Sequence, residues 1–341
     1  MPGARSSQSP TRPWVRIGIV TFNSGDYTQS CLDALAAQTD PDFEAVIWDN
    51  GSTDGAAQRL RLPDSRFRLV EADENTGFAG GTNRALAGAT TPYVMSMNPD
   101  TALEPDCLAA LRAQADAAPD AAMLSPVLLR PDGRLDGMGD CLSIHGIAWR
   151  AGVGDVPEAL AEPCEVFSPT GAGALFRRDL FEREGGFDET FFCYLEDVDL
   201  ALRLRARGHH CLLVPNARGT HVGGHSTDAL PGFAVRSSSR NALRMIVHSA
   251  PLGLLPLMLG SHIAAHLWFQ FRNRGTDLAQ ARGEGFRAGL RALPRSVADR
   301  LRRRPYPPGA SFRVGRRLAW TIRAVNRRAP LRWPWTAPPA D

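Results

Sequence analysis

Residues 15–55 read VRIGIVTFNSGDYTQSCLDALAAQTDPDFEAVIWDNGSTDG, and this stretch decides the fold class. Its first seven residues form an apolar run that predicts a buried strand, ended by the turn residues at 23–25. Residues 27–38 carry apolar side chains at helical spacing, and residues 43–48 form a second apolar run that stops at the turn cluster 49–55. Strand, helix and strand in this order predict a βαβ unit.

The same alternation continues along the chain. Further strands are predicted at 67–71 and 93–97, and short helices at 56–60 and 82–89. The glycine-rich residues 75–81 are predicted to be a loop. Repeated βαβ units indicate an α/β fold with a mainly parallel central sheet flanked by helices.

Three polar turn clusters, at 23–25, 49–54 and 98–100, each follow a predicted strand directly. Because the carboxyl ends of parallel strands meet at one edge of a sheet, we expect the three clusters to share a rim. Ligands of open α/β sheets bind beyond that rim. The rim is therefore the predicted site.

The composition excludes several classes of protein and of chemistry. The 341 residues are 43% hydrophobic and 22% charged, which is ordinary for a globular chain and not for a disordered or collagen-like one. All 39 basic residues are arginine, so a lysine nucleophile, a Schiff base and a P-loop lysine are excluded. Six cysteines without a CxxC pair predict scattered thiols in a reducing compartment.

The net charge of +3 conceals a strong asymmetry between the two parts of the chain. Residues 1–230 carry 19 arginines and 32 acidic residues, whereas residues 231–341 carry 20 arginines and 4 acidic residues. This pattern predicts that the C-terminal part meets an anionic surface, either a membrane or nucleic acid. The polar N-terminus has no apolar core typical of a signal peptide, so we expect the protein in the cytoplasm.

Residues 250–271 form a stretch of 22 residues without a charged side chain. The length is sufficient for a membrane span, but Pro251, Pro256, His262 and His266 argue against one. An interfacial or re-entrant helix fits better, and a buried helix of a soluble protein remains open.

The polar residues of the rim could bind a nucleotide and a cation. Asp49 can accept hydrogen bonds from a nucleobase or a ribose, although it could equally close an Asx-turn. The loop that begins at Asn75 precedes a helix and could face a phosphate, or could merely pack closely. Asp100 could bind a divalent cation together with phosphate oxygens, or could belong to a simple turn.

Residues 185–200 carry the densest polar chemistry of the sequence. Asp199 is explained by an ion pair with Arg203 at i,i+4 spacing. Glu196 and Asp197 follow an aromatic run, and a carboxylate beside an apolar wall is suited to a raised pKa and to general-base work. Further on, the pair His221 and His225 could supply a metal ligand but does not form a zinc site by itself.

Six motifs follow one another along the chain: TFNSGDY, DNGSTDG, NTGFAGGTNRAL, MNPDT, GGFDETFFCYLEDVDLALRLR and VPNARGTHVGGHST. Together they make residues 15–230 resemble the family 2 inverting glycosyltransferases, and in particular their bacterial rhamnosyltransferase branch. The stretch around FDETFFCYLEDVDL is the most specific part. The resemblance implies a GT-A fold, in which a nucleotide-binding α/β half is joined to an acceptor-binding half.

The resemblance also implies roles for individual residues. The implied donor-binding residues are Thr21, Asn23, Asp49, Asn50, Asn75, Gly77, Phe78, Gly80, Asn83 and Asn98. Asn98 replaces the first acid of the family's metal-binding motif, Asp100 matches the last acid, and His221 matches a position that completes the shell of Mg²⁺ or Mn²⁺. Asp197 matches the general base, with Glu196 beside it.

We therefore expect transfer of a sugar, L-rhamnose from dTDP-L-rhamnose, to a hydroxyl of a cell-surface glycan precursor carried on a lipid. A UDP-hexose or galactofuranose donor, or a non-catalytic nucleotide-sugar scaffold, remains the alternative. The expected partners include an anionic membrane surface, on the cytoplasmic face, but no nucleic acid. The predicted organisation is a disordered segment 1–13, a nucleotide-sugar half 14–125, an acceptor-binding and catalytic half 126–235, an arginine-rich, membrane-associating helical extension 236–330 and a loose tail 331–341.

Overall fold

A computed structural model describes residues 13–25, 27–157, 162–223 and 232–320. The predicted disordered segment 1–13, apart from its last residue, lies outside the described residues, as do the predicted tail 331–341 and the candidate ligand His225.

A single ten-stranded sheet forms the centre of the molecule, and a separate two-stranded ribbon lies beside it. The strands are β1 Val15–Thr21, β2 Phe43–Asp49, β3 Phe67–Glu71, β4 Tyr93–Met97, β5 Thr101–Leu103, β6 Ala121–Leu129, β7 Leu135–Gly137, β8 Asp140–Leu142, β9 Ala148–Arg150, β10 Cys164–Val166, β11 Gly173–Arg177 and β12 His210–His221. The sheet order is β10-β12-β6-β11-β4-β1-β2-β3, with β5 on β12 and β7 on β6.

Six of the ten sheet strands run in one direction, which confirms the predicted mainly parallel sheet. The antiparallel strand β11 separates β4 from β6 and so joins the N-terminal βαβ half to the second half. The ribbon consists of β8 and β9, which pair antiparallel.

Helices cover both faces of the sheet and form the C-terminal part. They are α1 Tyr27–Ala36, α2 Ala56–Arg59, α3 Gly77–Leu86, α4 Cys107–Ala117, α5 Arg178–Arg183, α6 Glu196–Ala206, α7 Phe233–Ser249, α8 Leu255–Arg272, α9 Asp277–Arg302 and α10 Ala310–Gly315. A 3₁₀ turn at Glu189–Phe191 precedes α6.

The core consists of two layers because successive strand residues point to opposite faces of the sheet. Val94 and Phe176 enter the layer under α3 and α6, whereas Met95 and Leu175 enter the layer under α1 and α4. The core thus fixes the sheet between helices and leaves the carboxyl ends of β1, β2 and β4 free to carry a site.

The predicted common rim is confirmed. Thr21 and Asp49 are register partners at the ends of β1 and β2, and the backbone N–H of Asn50 donates to the carbonyl of Thr21 over 2.9 Å. The turn after β4 begins at Asn98, on the other side of β1. All three polar turns therefore lie at one edge of the sheet.

The boundaries of α3 correct the prediction. The helix begins at Gly77, so most of the predicted loop 75–81 is its first turns, and it ends at Leu86 rather than 89. Gly77 has φ +74°, and a Cβ there would lie 2.4 Å from the Phe192 carbonyl oxygen. The glycines therefore serve close packing of the helix start, a pattern that sequence analysis cannot distinguish from that of a loop.

The C-terminal helices pack against the part of the chain that precedes them. The predicted boundary at 235/236 falls inside α7, and α9 runs against α7 so closely that a Cβ on Gly285 would lie 2.2 Å from the Arg236 carbonyl oxygen. Arg244 on α7 pairs with Asp299 on α9 at 3.0 Å.

The expected pair of Asp199 with Arg203 is confirmed at 2.8 Å. Among the described helices, none combines the length and apolar character needed to cross a bilayer.

Candidate active site

A cavity of about 900 Å³ opens at the carboxyl-end rim of the sheet. Seven of the predicted site residues line it: Asn50, Asn75, Gly77, Phe78, Asn98, Asp100 and His221. They come from the turns after β2, β3 and β4, the start of α3 and the end of β12. The cavity is large enough for a nucleotide-sugar, since small-molecule sites typically measure about 300–1,000 Å³.

Two asparagines shape the donor side of this cavity. The Asn50 side chain donates to the Gly77 carbonyl over 2.9 Å and accepts from Thr76, so it ties the β2 turn to the start of α3. Asn75 Oδ1 accepts from the Gly77 backbone N–H over 2.8 Å. These bonds fix the start of α3 beside the cavity, where the positive end of the helix dipole favours an anion.

Five other predicted donor residues do not line the cavity: Thr21, Asn23, Asp49, Gly80 and Asn83. Thr21 is buried against Thr28, and Asp49 closes its turn through Ser52. Asn23 accepts from the backbone of the β2 turn. Asn83 both donates to and accepts from the backbone of Phe187, over 2.8 and 2.9 Å. In this structure their contacts support the walls of the site.

Asp100 and His221 form the centre of the large cavity. They meet because β5 pairs antiparallel with the end of β12, with Thr101 opposite His221. His221 Nε2 lies 3.4 Å from Asp100 Oδ1 and 3.1 Å from Asn98 Nδ2. Burial would raise the pKa of Asp100, but its hydrogen bonds with His221 and the Gly223 N–H lower the pKa below its usual value.

Asp136 is a functional candidate that the sequence analysis missed. Its Oδ2 lies 2.7 Å from His221 Nδ1 and 2.5 Å from Arg150 Nη1. Burial would raise the pKa of Asp136, but the hydrogen bond from His221 and the charge of Arg150 lower it. The only hint in the sequence is that an acidic residue, which is uncommon in strands, occupies the short strand β7.

The residues present fit a divalent cation of the Mg²⁺ or Mn²⁺ type. A carboxylate and an imidazole face each other, and the second imidazole nitrogen is held by Asp136, as is usual for metal-binding histidines. Across the parts of the chain that the structure describes, no three His, Cys, Asp or Glu side chains could hold a metal on their own. Mg²⁺ typically takes only one or two protein carboxylates and completes its shell with substrate phosphates and water.

Asp197 lies in the first turn of α6 and is only 8% exposed. Its Oδ2 accepts from the Gly171 N–H and its Oδ1 from the Val198 N–H, each over 2.7 Å. Burial raises the pKa of Asp197, and these two hydrogen bonds offset the rise only in part. The pKa of Glu196 is raised well above its usual value by burial and by the charge of Asp197. The expected raised pKa values beside the aromatic run are confirmed in direction.

The backbone that leads into α6 is strained. Phe192, Tyr194 and Leu195 all have positive φ, between 63° and 75°, a region that residues other than glycine rarely adopt. Asn241 on α7 compensates, because its buried Nδ2 donates to the carbonyls of Phe191, Cys193 and Tyr194 over 2.7 to 3.0 Å. The C-terminal part of the chain thus fixes the approach to Asp197.

A smaller cavity of about 350 Å³ contains Glu196 and Asp197. Five residues line both cavities, which places the carboxylates next to the donor side: Phe78, Asn98, Arg150, Cys193 and Tyr194.

The ribbon β8–β9 contributes Asp140 and Arg150, which are register partners, to the small cavity. Burial and the charge of Asp197 raise the pKa of Asp140 to about 8. Sequence analysis assigned this region to the acceptor side without naming a contact. Strands of only three residues leave too short a pattern to be recognised.

Comparisons with known proteins agree with this geometry. The family model described as Glycosyl transferase family 2 matches residues 16–185. An N-acetylglucosaminyl-diphospho-decaprenol L-rhamnosyltransferase of Mycobacterium tuberculosis is 31% identical over 236 residues, which cover 62% of this chain and 77% of that protein.

Two solved structures show the same fold. The mannosyltransferase PcManGT of Pyrobaculum calidifontis, in complex with GDP-Man and Mn²⁺, has a TM-score of 0.51 and 21% identity, covering 86% of this chain and 85% of that one. TarS 1–349 of S. aureus, in complex with UDP, has a TM-score of 0.53 and 17% identity, covering 88% and 91%. The GT-A fold is therefore confirmed.

The fold, the paired cavities and the rhamnosyltransferase relative lead to one assignment. This chain belongs to glycosyltransferase family 2 and is an inverting glycosyltransferase.

Proposed function

We propose that the protein transfers L-rhamnose from dTDP-L-rhamnose to a hydroxyl of a lipid-linked glycan precursor, with Asp197 as general base. The observation that carries the proposal is the position of the Asp197 carboxylate, in a small cavity that shares its border with the cavity of Asp100 and His221. The choice of rhamnose and of a lipid-linked acceptor rests on the name of the M. tuberculosis relative.

The geometry supports a single displacement with inversion. The acceptor oxygen would attack the anomeric carbon of the donor, and the bond from that carbon to the nucleoside diphosphate would break in the same step. Asp197 would take the proton of the attacking hydroxyl, so that proton and charge balance. Its buried position and raised pKa suit it to general-base work, because a base with a pKa nearer neutrality transfers protons more effectively.

The departing diphosphate carries negative charge that must be stabilised. Asp100 and His221 would hold a divalent cation there, which supplies Lewis-acid stabilisation of the leaving phosphate. The start of α3 at Gly77 lines the same cavity, and the positive end of its helix dipole would favour the phosphates.

A thermal-shift panel of nucleotide-sugars with and without Mg²⁺ or Mn²⁺ tests the donor. We expect stabilisation by dTDP-L-rhamnose plus metal, by about 2.7 kcal/mol at 100 times Kd. Asp100→Ala should abolish the metal-dependent part. A shift with a UDP-hexose or UDP-galactofuranose instead would keep the enzyme class and overturn the choice of rhamnose. No shift with any donor would favour the non-catalytic scaffold.

We further propose that α8 lies in the surface of an anionic membrane, at the cytoplasmic face. The helix presents its apolar side chains outward: Leu257, Ile263, Leu267, Trp268 and Phe271 are 37–68% exposed. Its buried face instead carries His262 and His266. An exposed apolar stripe of this kind is typical of interfacial helices.

Two arginines lie at the C-terminal end of this exposed apolar stripe. Arg272 lies over the Trp268 ring and Arg274 over the Phe271 ring, at 5.4 and 4.9 Å from the ring centres. Each arginine close to an anionic leaflet contributes ~1 kcal/mol of attraction. Such a surface would bring the site to a lipid-linked acceptor.

Sedimentation with vesicles of phosphatidylcholine and phosphatidylglycerol tests this surface. We expect binding at low salt, reduced by the double variant Trp268→Ser/Phe271→Ser. Leu62→Ser is the matched control, since Leu62 is an exposed apolar residue of the nucleotide half. Equal binding of both variants, or none by the unaltered protein, would contradict a membrane role for α8.

A further inference from the structure

Three buried polar atoms around the small cavity have no hydrogen-bond partner among the described residues: Asp140 Oδ1, Trp149 Nε1 and Glu196 Oε2. Asp140 is 7% exposed and Glu196 is 4% exposed, so water contact does not compensate. A buried polar atom left unpaired typically costs about 1–3 kcal/mol. All three residues line the cavity that contains Asp197. Such a concentration of unpaired atoms indicates a ligand that pairs with them.

We propose that this cavity binds the sugar ring of the acceptor. The Trp149 indole would lie against the ring, and Asp140 and Glu196 would form hydrogen bonds with its hydroxyls. The inference rests on the proposed function and assigns the acceptor as a pyranoside whose reactive hydroxyl reaches Asp197. The volume of about 350 Å³ lies at the lower end of the range for small-molecule sites and suits a single sugar unit.

The chemistry of the unpaired atoms selects a sugar. The indole N–H is only a donor and therefore needs an acceptor atom, such as a ring hydroxyl or an acetamido oxygen. The two carboxyl groups accept hydrogen bonds when ionised and can also donate when protonated. A compact ring that carries several hydroxyls meets all these needs at once.

The position of the cavity selects the acceptor over the donor. The small cavity contains Asp197, which takes the proton, whereas Asp100 and His221 line only the large cavity. Phe78 and Arg150 stand at the border between the two. The donor's anomeric carbon must lie at that border, so the ring beyond it belongs to the acceptor.

The variants Trp149→Ala, Trp149→Phe and Asp140→Asn test the assignment in the full chain. The probe is N-acetylglucosaminyl diphosphate on a short prenyl chain, and the donor is dTDP-L-rhamnose. Trp149→Phe keeps an apolar ring and removes the N–H, and Asp140→Asn keeps the shape and replaces the carboxyl group by an amide. Asp155→Asn is the matched control, because Asp155 is exposed on the same segment and does not line either cavity.

We expect the KM for the probe to rise about tenfold in Trp149→Ala and Asp140→Asn, and less in Trp149→Phe. The Kd of the donor, measured by calorimetry, should stay within about twofold, since the donor does not touch these residues. An unchanged KM in variants that still transfer rhamnose would overturn the assignment of the small cavity as the acceptor-binding site and leave the proposed function intact. A loss of donor affinity in Trp149→Ala would also overturn it. A wild-type protein that binds the donor but transfers nothing to the probe or to other pyranosides would instead contradict the proposed function.

Discussion

Asp136 holds the imidazole of His221 through a 2.7 Å hydrogen bond to Nδ1, on the side opposite Asp100. With a proton held on Nδ1, Nε2 can give up its own proton and present a lone pair to a cation beside Asp100. Carboxylates that hold metal-binding histidines in this manner fix both the tautomer and the orientation of the ring. Asp136, which sequence analysis missed, thus orients His221, which sequence analysis predicted.

The role of Asp136 can be tested by its isosteric replacement. Asp136→Asn should weaken Mn²⁺ binding about 10–100-fold in the presence of dTDP, because the partner of the ligand histidine is altered. Electron paramagnetic resonance of free Mn²⁺ measures this without any turnover. Asp120→Asn is the control, since the Asp120 side chain is 80% exposed. An unchanged Mn²⁺ affinity in Asp136→Asn would show that the hydrogen bond does not support the metal site.

Asp197→Asn tests the general base. The neutral amide cannot take a proton, so we expect kcat to fall about 10²–10⁴-fold while the Kd for dTDP-L-rhamnose stays nearly constant. Calorimetry of the donor also verifies that the variant is folded. Asp179→Asn, an exposed position on α5, should behave as the unaltered protein. Turnover near the normal rate in Asp197→Asn would remove Asp197 as the base.

The raised pKa of Asp140 predicts how stability depends on pH. The folded state keeps a proton on Asp140 up to about pH 8, whereas the unfolded chain releases it near the ordinary value of 3.8. Because the folded state binds more protons in this window, Asp140 reduces the free energy of unfolding as the pH rises from about 4 to 8.

Asp140→Asn removes this titration. The melting temperature of the variant, relative to the unaltered protein, should therefore be higher at pH 8 than at pH 5. Differential scanning calorimetry at pH 5 and pH 8 measures these melting temperatures. Asp155→Asn is the control, and its melting temperature relative to the unaltered protein should be the same at both pH values. If the melting temperature of Asp140→Asn differs from that of the unaltered protein by the same amount at pH 5 and pH 8, the raised pKa is contradicted.

Asn241→Ala tests the support of the strained backbone before α6. The contacts of the amide NH₂ with three backbone carbonyls would be lost, and we expect a decrease of ~2–4 kcal/mol in the free energy of unfolding together with a lower kcat. Donor affinity should change little, because Asn241 does not line the large cavity. Chemical denaturation and single-turnover kinetics measure the two effects. Asn216→Ala, an exposed position on β12, is the control, and equal stability of the two variants would refute the role of Asn241.

The parts of the site that the sequence could predict are those carried by long, regular elements. β1, β2 and β4 are apolar runs that stop at polar turns, and their parallel pairing forces the turns onto one rim. The acids at the start of α6 were predictable as well, because an aromatic run and a helical pattern flank Glu196 and Asp197.

The parts that could not be predicted depend on long-range packing. Asp136, Asp140 and Arg150 lie on strands of three residues each, whose position is set by pairing with distant parts of the chain. The role of Asn241 depends on α7 folding back against a segment 47 to 50 residues earlier. The glycines from Gly77 to Gly81 were assigned to a loop because close packing and flexibility favour the same residue.

The most direct test of the account is the anomeric configuration of the product. Nuclear magnetic resonance of the rhamnosylated probe, formed from dTDP-L-rhamnose and N-acetylglucosaminyl diphosphate on a short prenyl chain, determines that configuration. We predict that it is opposite to the configuration in the donor and that Asp197→Asn forms the product about 10²–10⁴-fold more slowly. A product with the donor's configuration, or the same yield from Asp197→Asn, would contradict a single displacement with Asp197 as base.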